Sequence, residues 1–586
     1  MGKKRVAIYA FYDEAGVVDR YVTYMLQALL EVCDRLVVVC NGELTGDGKS
    51  TFDSITGDVF TRENEGFDAW GFKAGIEHIG WDELEQYDEL VLVNNTVFGP
   101  LYPFQVMFDE MDKRKLDFWG ITKHGQISDP YGLTNDGIFP EHIQSYFFVV
   151  GNKMLSHPTF KSYWDNLPKF KSWKKAVSLH EVMFTRFFAQ QGFLWDVYVN
   201  TDKGLKGITG TCLLELMTYE LLKNYRLPVI KRKNFSTEYD VVIGTTVGDS
   251  TKKAFDYIRT NTDYNVDLIW ENILRTMPLR TIKDNLDLNY ILPHDYIYPY
   301  NKRAQSNGRD GAGNHTSTGV ALFTHITYED QLEFCASYAE SIMEDADIYV
   351  TTESESMRDR LLERFGKMKC NKLEVLLLPS GRKGRDVSAL WVALRPYIQD
   401  YDYICFTHNK KSSQDKPFTI GRGFAQRCFG NTLASKEYVV NIINLFEDNP
   451  RLGMLFPPPV IHGRYNRNIS KQWGTNYKKT ADLAKKLDIN VPIDKKDPVF
   501  PAGGMFWFRP KALQKLIDHD WKYDEFPGEP LATDGTLSHA FERLYCFAAQ
   551  SEGYYSAWVM TVFNASTEIT SLNHLLAQWH SPIPYE

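Results

Sequence analysis

YDELVLVNNT (87–96) and YDYICFTHNK (401–410) decide the fold, because they align without a gap yet lie in one chain. Each reads as a strand that ends on a polar tip. Working outward, EGFDAWGFK (65–73) upstream of the first matches KGRDVSALW (383–391) upstream of the second. Both place a Gly two residues before an Asp and an aromatic inside the helical pattern that follows. Downstream, SYFFVVGNKML (145–155) matches GMFWFRPKAL (504–513) in its apolar run and its turn into a helix. Each half opens on a short strand, VAIYAF (6–11) and VALFTH (320–325). Four anchors in one order, each copy far longer than a solenoid unit, indicate a tandem of two diverged whole domains.

The rest of the pattern agrees. Strands are expected near 5–11, 35–40, 56–60, 89–94, 117–122 and 144–150, and again near 319–325, 346–351, 373–378, 402–407, 452–456 and 503–508. Helical periodicity falls near 16–32, 67–78, 101–114 and 180–191, then near 328–343, 386–395, 434–447 and 534–550. Such alternation predicts an α/β layer fold with a largely parallel sheet in each half. The helical stretch from Lys252 to Asn285 and the Gly-rich run NGRDGAGNHTSTG (307–319) set the division: a domain over 1–245, a helical connector and linker over 246–318, and a second domain over 319–586. A chain of 586 residues is too long for one core and suits two.

Composition narrows the function. With 66 basic and 75 acidic residues the net charge is −9, so no basic excess is available to neutralise nucleic-acid phosphates. No run approaches the 18 apolar residues of a membrane span, and MGKKRVAIYAFYDE lacks a signal peptide's apolar core. The eight cysteines form no CxxC pair and read as buried thiols of a cytosolic protein.

Four segments are candidates for chemistry. Arg62-Glu-Asn64-Glu-Gly66-Phe-Asp68 and Gly384-Arg385-Asp386 each follow a strand and open a helix. Their backbone N–H groups suit an anion, and the Asp suits a base or ribose edge, although an N-cap needs the same residue. This recurrence points to a nucleotide sugar. The strand tips, Asn94-Asn95 and His408-Asn409-Lys410-Lys411, offer no carboxylate for a tightly held divalent metal. Lys410 and Lys411 instead suit a leaving diphosphate as fixed cations. At the start of a late helix in each half stands a carboxylate suited to general-base work, Glu181 and Asp534. Counting back from Gly192 and Gly553 aligns Glu181 with Glu542; counting from the helix start aligns it with Asp534, which is the expected choice. Eight helical residues span about 12 Å, so Asp534 and Glu542 cannot serve one atom. His539 and Glu542 then line an acceptor groove. Gly503 and Gly504 would let a sugar approach the backbone, with Trp507 as a stacking wall.

YDYICFTHNKKS, PAGGMFWFRPKAL, DGTLSHAFERL, RENEGFDAWGFK and LPVIKRKNF together resemble the rhamnan synthesis protein F family of streptococci and related bacteria, over nearly the whole chain. The resemblance implies two tandem GT-A-like, Rossmann-type glycosyltransferase domains from an internal duplication. It implies dTDP-β-L-rhamnose as donor and, as acceptor, a lipid-linked rhamnan at the cytoplasmic face of the membrane, where the protein would be peripheral. An α-1,2/α-1,3 backbone would give one linkage to each domain, by inversion with one base per site and no metal cofactor. Two other readings stand beside it: one domain a non-catalytic acceptor-binding module, or the whole chain a carbohydrate-binding assembly protein.

Overall fold

The computed structural model describes residues 2–202, 213–298, 319–409, 419–460, 471–532 and 534–578, and the chain divides into two compact units at Ile273/Leu274. In unit 1 the main sheet is built from β1 (Arg5–Phe11), β2 (Arg35–Asn41), β3 (Val59–Arg62), β4 (Glu89–Asn94), β5 (Phe118–Gly120), β6 (Phe147–Gly151) and β7 (Trp195–Val197). Their spatial order is 7-5-6-4-1-2-3. All neighbours are parallel except β6, which runs antiparallel to both β4 and β5.

Unit 2 has β8 (Asn289–Leu292), β9 (Val320–His325), β10 (Asp347–Thr352), β11 (Lys372–Leu377), β12 (Tyr403–His408), β13 (Leu452–Phe456), β14 (Phe506–Phe508) and β15 (Tyr555–Thr561). The order is 8-15-13-14-12-9-10-11. Apart from the added edge strand β8, it repeats the order of unit 1, including the single antiparallel strand, here β14.

β1, β4, β9 and β12 are buried along their whole length, which is why they read as continuous apolar runs rather than alternating ones. Helices cover the sheets at short range. The helix Phe67–Ile79 carries Gly75 against β1, where a Cβ would sit 2.5 Å from the Ile8 side chain. Each unit encloses its own core, with Phe72, Phe118, Phe148, Trp164 and Phe184 central to the first and Trp391, Phe406, Phe506, Trp521 and Tyr545 to the second.

The stretch expected as a connector over 246–318 is divided instead. Helix Ser250–Asn261 buries Ala254, Phe255 and Ile258 within unit 1, whereas helix Leu279–Asn285 and β8 belong to unit 2. The apolar faces of these helices are core, which is the reason they do not behave as a linker. Part of the Gly-rich run lies outside the described residues.

Candidate functional site

In unit 1 the turn between β3 and the helix Phe67–Ile79 passes through two consecutive left-handed residues, Gly66 (φ 75°) and Phe67 (φ 60°). A non-glycine there is uncommon, and at Gly66 a Cβ would lie 2.2 Å from the Trp70 ring. The turn sets Asp68 in the first helical turn. Asn94, at the tip of β4, donates Nδ2 to Asp68 Oδ2 at 2.8 Å, while its own Oδ1 accepts from the Thr96 amide and hydroxyl at 3.1 and 2.6 Å. Asn95 points the other way, donating to the Tyr12 carbonyl at 2.8 Å, and its own carbonyl accepts from the Tyr21 hydroxyl at 3.0 Å. Arg62 braces the turn from the end of β3, donating to Asn41 Oδ1 at 2.5 Å and to the Glu65 carbonyl at 2.7 Å. Asn64 is exposed.

Glu181 reaches the same place. It ends a π-helical stretch, Val177–Glu181, and its Oε1 accepts from the Ser145 amide at 3.3 Å. Burial, together with the negative charge of Glu181, raises the Asp68 carboxyl to about 6, against the pull of the Asn94 hydrogen bond. Two carboxylates thus border one site. The sequence did not single out His142, which joins them. Its Nδ1 must donate to the Pro140 carbonyl at 2.7 Å, since a carbonyl only accepts; burial lowers its pKa and Glu181 opposes that. A lone His in a polar loop carries no spacing signal by which to find it. The neighbouring His180 is core: it is paired with the Tyr163 hydroxyl at 2.8 Å and lowered to about 4 by burial.

Unit 2 repeats the construction with different side chains. Gly384 (φ 88°) and Arg385 (φ 46°) are again consecutive left-handed residues, and Asp386 follows in the first helical turn. His408, at the tip of β12, stands 3.6 Å from Asp386 Oδ2 and donates Nε2 to the Gly503 carbonyl at 2.8 Å. Asn409 accepts from the Thr327 amide at 3.2 Å, as Asn95 holds Tyr12. Gly504 fits closely here, since a Cβ on it would lie 3.0 Å from His408 Nε2 and 3.5 Å from Asp386 Oδ2. Arg382, whose side chain is fully buried, donates to Ser388 Oγ at 2.6 Å and to the Arg385 carbonyl, and pairs with Glu353 at 2.8 Å. Arg385 pairs with Glu529 at 2.8 Å. Lys410 and Lys411 lie outside the described residues.

Three expected roles change. Trp507 is not a stacking wall: it is buried in β14, with Nε1 donating to the Thr432 carbonyl at 2.9 Å. His539 turns its Nδ1 to Thr536 Oγ1 at 2.7 Å and so caps the helix Leu537–Ser551. Asp534 accepts from the Thr475 amide (2.9 Å), the Thr475 hydroxyl (3.1 Å) and Asn476 Nδ2 (2.5 Å). Partial burial would push its carboxyl up, but these hydrogen bonds hold it at about 2. Such a group ties a loop and is a weak base at neutral pH.

Strand register identifies the residue that does match Glu181. Trp119 lies between Val149 and Asp196 in unit 1, as Leu455 lies between Trp507 and Ala557 in unit 2. Just before those last strands come Gly192 (φ 88°) and Gly553 (φ 78°), and eleven places before each stand Glu181 and Glu542. Burial raises the Tyr545 hydroxyl, its hydrogen bond to Trp391 opposes this, and both Asp386 and Glu542 add to the rise. Asp386 and Glu542 thus both act on this hydroxyl, and Glu542 stands three residues before Tyr545 on one face of the helix Leu537–Ser551. Glu542 also pairs with Arg543 at 3.0 Å.

The sequence model of the family described as rhamnan synthesis protein F matches residues 36–554. Uncharacterised protein y4gN of Sinorhizobium fredii is 23% identical over 190 residues, 32% of this chain and 46% of its own length. Uncharacterised protein WxcX of Xanthomonas campestris is 29% identical over 175 residues, 29% of this chain and 23% of its own length. The chain thus spans less than half of each of these relatives. Among solved structures, the glycosyltransferase GlyE of Streptococcus pneumoniae aligns at 10% identity over 72% of this chain and 89% of its own, with a TM-score of 0.24. At that score it does not define the fold of this chain.

Proposed function

The chain belongs to the rhamnan synthesis protein F family, and from that premise we propose that it is a glycosyltransferase with two sugar-nucleotide sites, one in each unit. One observation carries the reading: a strand, two left-handed residues and an Asp at a helix start, met by the tip of the next strand along the chain, built twice on sheets of one topology. This supports tandem GT-A-like copies of one ancestral domain. The donor is dTDP-β-L-rhamnose and the acceptor a lipid-linked rhamnan. No helix among the described residues is long and apolar enough to cross a membrane; a lipid-linked acceptor would be met at the membrane surface.

In each transfer the acceptor hydroxyl oxygen attacks the anomeric carbon and the bond to the diphosphate oxygen breaks. The electron pair leaves with dTDP, and the hydroxyl proton passes to a carboxylate, Glu181 in unit 1 and Glu542 in unit 2. A β donor then gives an α product. The helix-start turns seat the donor, with Asp68 and Asp386 toward its base or ribose. Lys410 and Lys411 would neutralise the leaving diphosphate in unit 2, and no step calls on a metal.

The test is incubation with dTDP-rhamnose and a short synthetic rhamnoside, followed by linkage analysis, using Glu181→Gln and Glu542→Gln chains. Each should add one rhamnose and stall, with α-1,2 linkage in one and α-1,3 in the other, and the mixture should restore polymer. A polymer of one linkage, or a single unit active in every condition, would refute two sites.

A further inference from the structure

We propose that unit 1 holds a binding cleft for a neutral saccharide chain, separate from the donor turn; it rests on the transferase reading only for what that saccharide is. The cleft has a volume of about 540 Å³, within the range of small-ligand sites. One wall is the helix Arg20–Leu30 with its C-cap Glu31, which brings Tyr24, Gln27 and Glu31 to a single face at helical spacing. Pro100–Pro103, with Tyr102, forms the second wall, and Thr260–Tyr264 the third. The Tyr24 and Tyr264 rings meet edge to face at 5.3 Å and 85°, making an aromatic corner. Tyr102 is backed by the Arg226 guanidinium at 5.2 Å.

The lining selects the ligand class. Among the described residues that line it, the charges are the two carboxylates of Glu31 and Asp263, with no Lys, Arg or His. Nucleotides, phosphates and anionic headgroups are therefore repelled. Carboxylates, carboxamides and threonine hydroxyls accept from and donate to sugar hydroxyls. Tyrosine rings, Pro100, Pro103 and Ala28 supply apolar area for the C–H face and the methyl group of a 6-deoxy sugar. Placement adds a reason. Tyr21 donates its hydroxyl to the Asn95 carbonyl at 3.0 Å, and Tyr24 is the next turn of that helix, about 5 Å along its axis. The helix that walls the cleft thus also touches the tip of β4, and the earlier residues of a growing chain would lie along it.

Titration calorimetry of the full chain with an α-linked rhamnose tetrasaccharide, without donor, tests this. Tyr24 and Gln27 are exposed, so their replacement leaves the core intact. Tyr24→Ala should weaken binding about tenfold, Gln27→Ala should weaken it less, and Tyr24→Phe, which keeps the ring, should restore most of the affinity. Tetrasaccharide affinity indifferent to both Tyr24→Ala and Gln27→Ala would overturn the proposal. Tyr24-dependent binding in a chain that transfers no sugar would keep the cleft and remove the transferase reading. Transfer without such binding would do the reverse.

Discussion

Asp68→Asn should make unit 1 more stable and less active at the same time. The Asp68 carboxyl stands at about 6 against an ordinary 3.8, because burial and the Glu181 charge disfavour its ionised form. Taken at face value that gap is worth about 3 kcal/mol of destabilisation once the group is ionised. Solvent at the site mouth reduces the expectation to about 1–2 kcal/mol. Because the folded state binds this proton more tightly than the unfolded chain, stability is full below pH 3.8, falls as pH rises through 6, and stays low above it. Asparagine has no proton to lose and still accepts from Asn94 Nδ2. The variant's advantage should therefore be absent near pH 3.5 and complete at pH 7.5, as a rise of about 2–5 °C in the melting of unit 1. Differential scanning fluorimetry across that range measures it, with the linkage assay reporting loss of one linkage only. An unchanged or lower melting temperature at pH 7.5 would refute the carboxylate-pair reading.

Asp534→Asn has the opposite sign: its depressed pKa stabilises the fold above pH 3.8 and that gain is lost as pH falls through 2, so the variant should melt lower at neutral pH yet retain linkage synthesis. Glu542→Gln should do the reverse, lowering one transfer rate by about 10²–10⁴ with little change in melting; if the two activity results are exchanged, the register argument fails. Gly66→Ala places a Cβ against the Trp70 ring at a left-handed φ and should cost about 2 kcal/mol or more, read by denaturant unfolding. EDTA should leave synthesis intact; activity lost with EDTA and regained with Mn²⁺ would refute transfer without a metal.

Much of this was legible in the sequence, and the exceptions share a cause. Fully buried strands announce themselves, as VAIYAF and VALFTH do, and a Gly two residues before an Asp marks a turn with little choice of backbone. Short edge strands do not. β7 is three residues, WDV, two of them half-buried, and β8 lies in a stretch whose helices masked it. Trp507 misled because all three residues of β14 are buried, so alternation could not tell a wall from a core. Local spacing offered both Asp534 and Glu542, and strand register, which pairs residues across the sheet, favours the alignment with Glu542. The helix itself begins at Leu537 with Thr536 as its cap, leaving Asp534 outside it and free to tie the 474–476 loop.

What the two sites do not share bears on why one chain would keep both. At the first left-handed turn stand Phe67 and Asn94, with Arg62 bracing it and the Glu181 charge acting on Asp68; at the second stand Arg385, His408 and the buried Arg382 around Asp386. The backbone course is the same, so the donor would be seated alike, while the groups around it set a different field and a different shape for the incoming hydroxyl. Were the units copies of one ancestral domain that differed only by drift, one of them would be expected to lose the strained turn, since a left-handed Phe or Arg costs energy that folding alone does not repay. Both turns are intact. That retention favours two working sites with separate acceptor demands over one site and a passive copy.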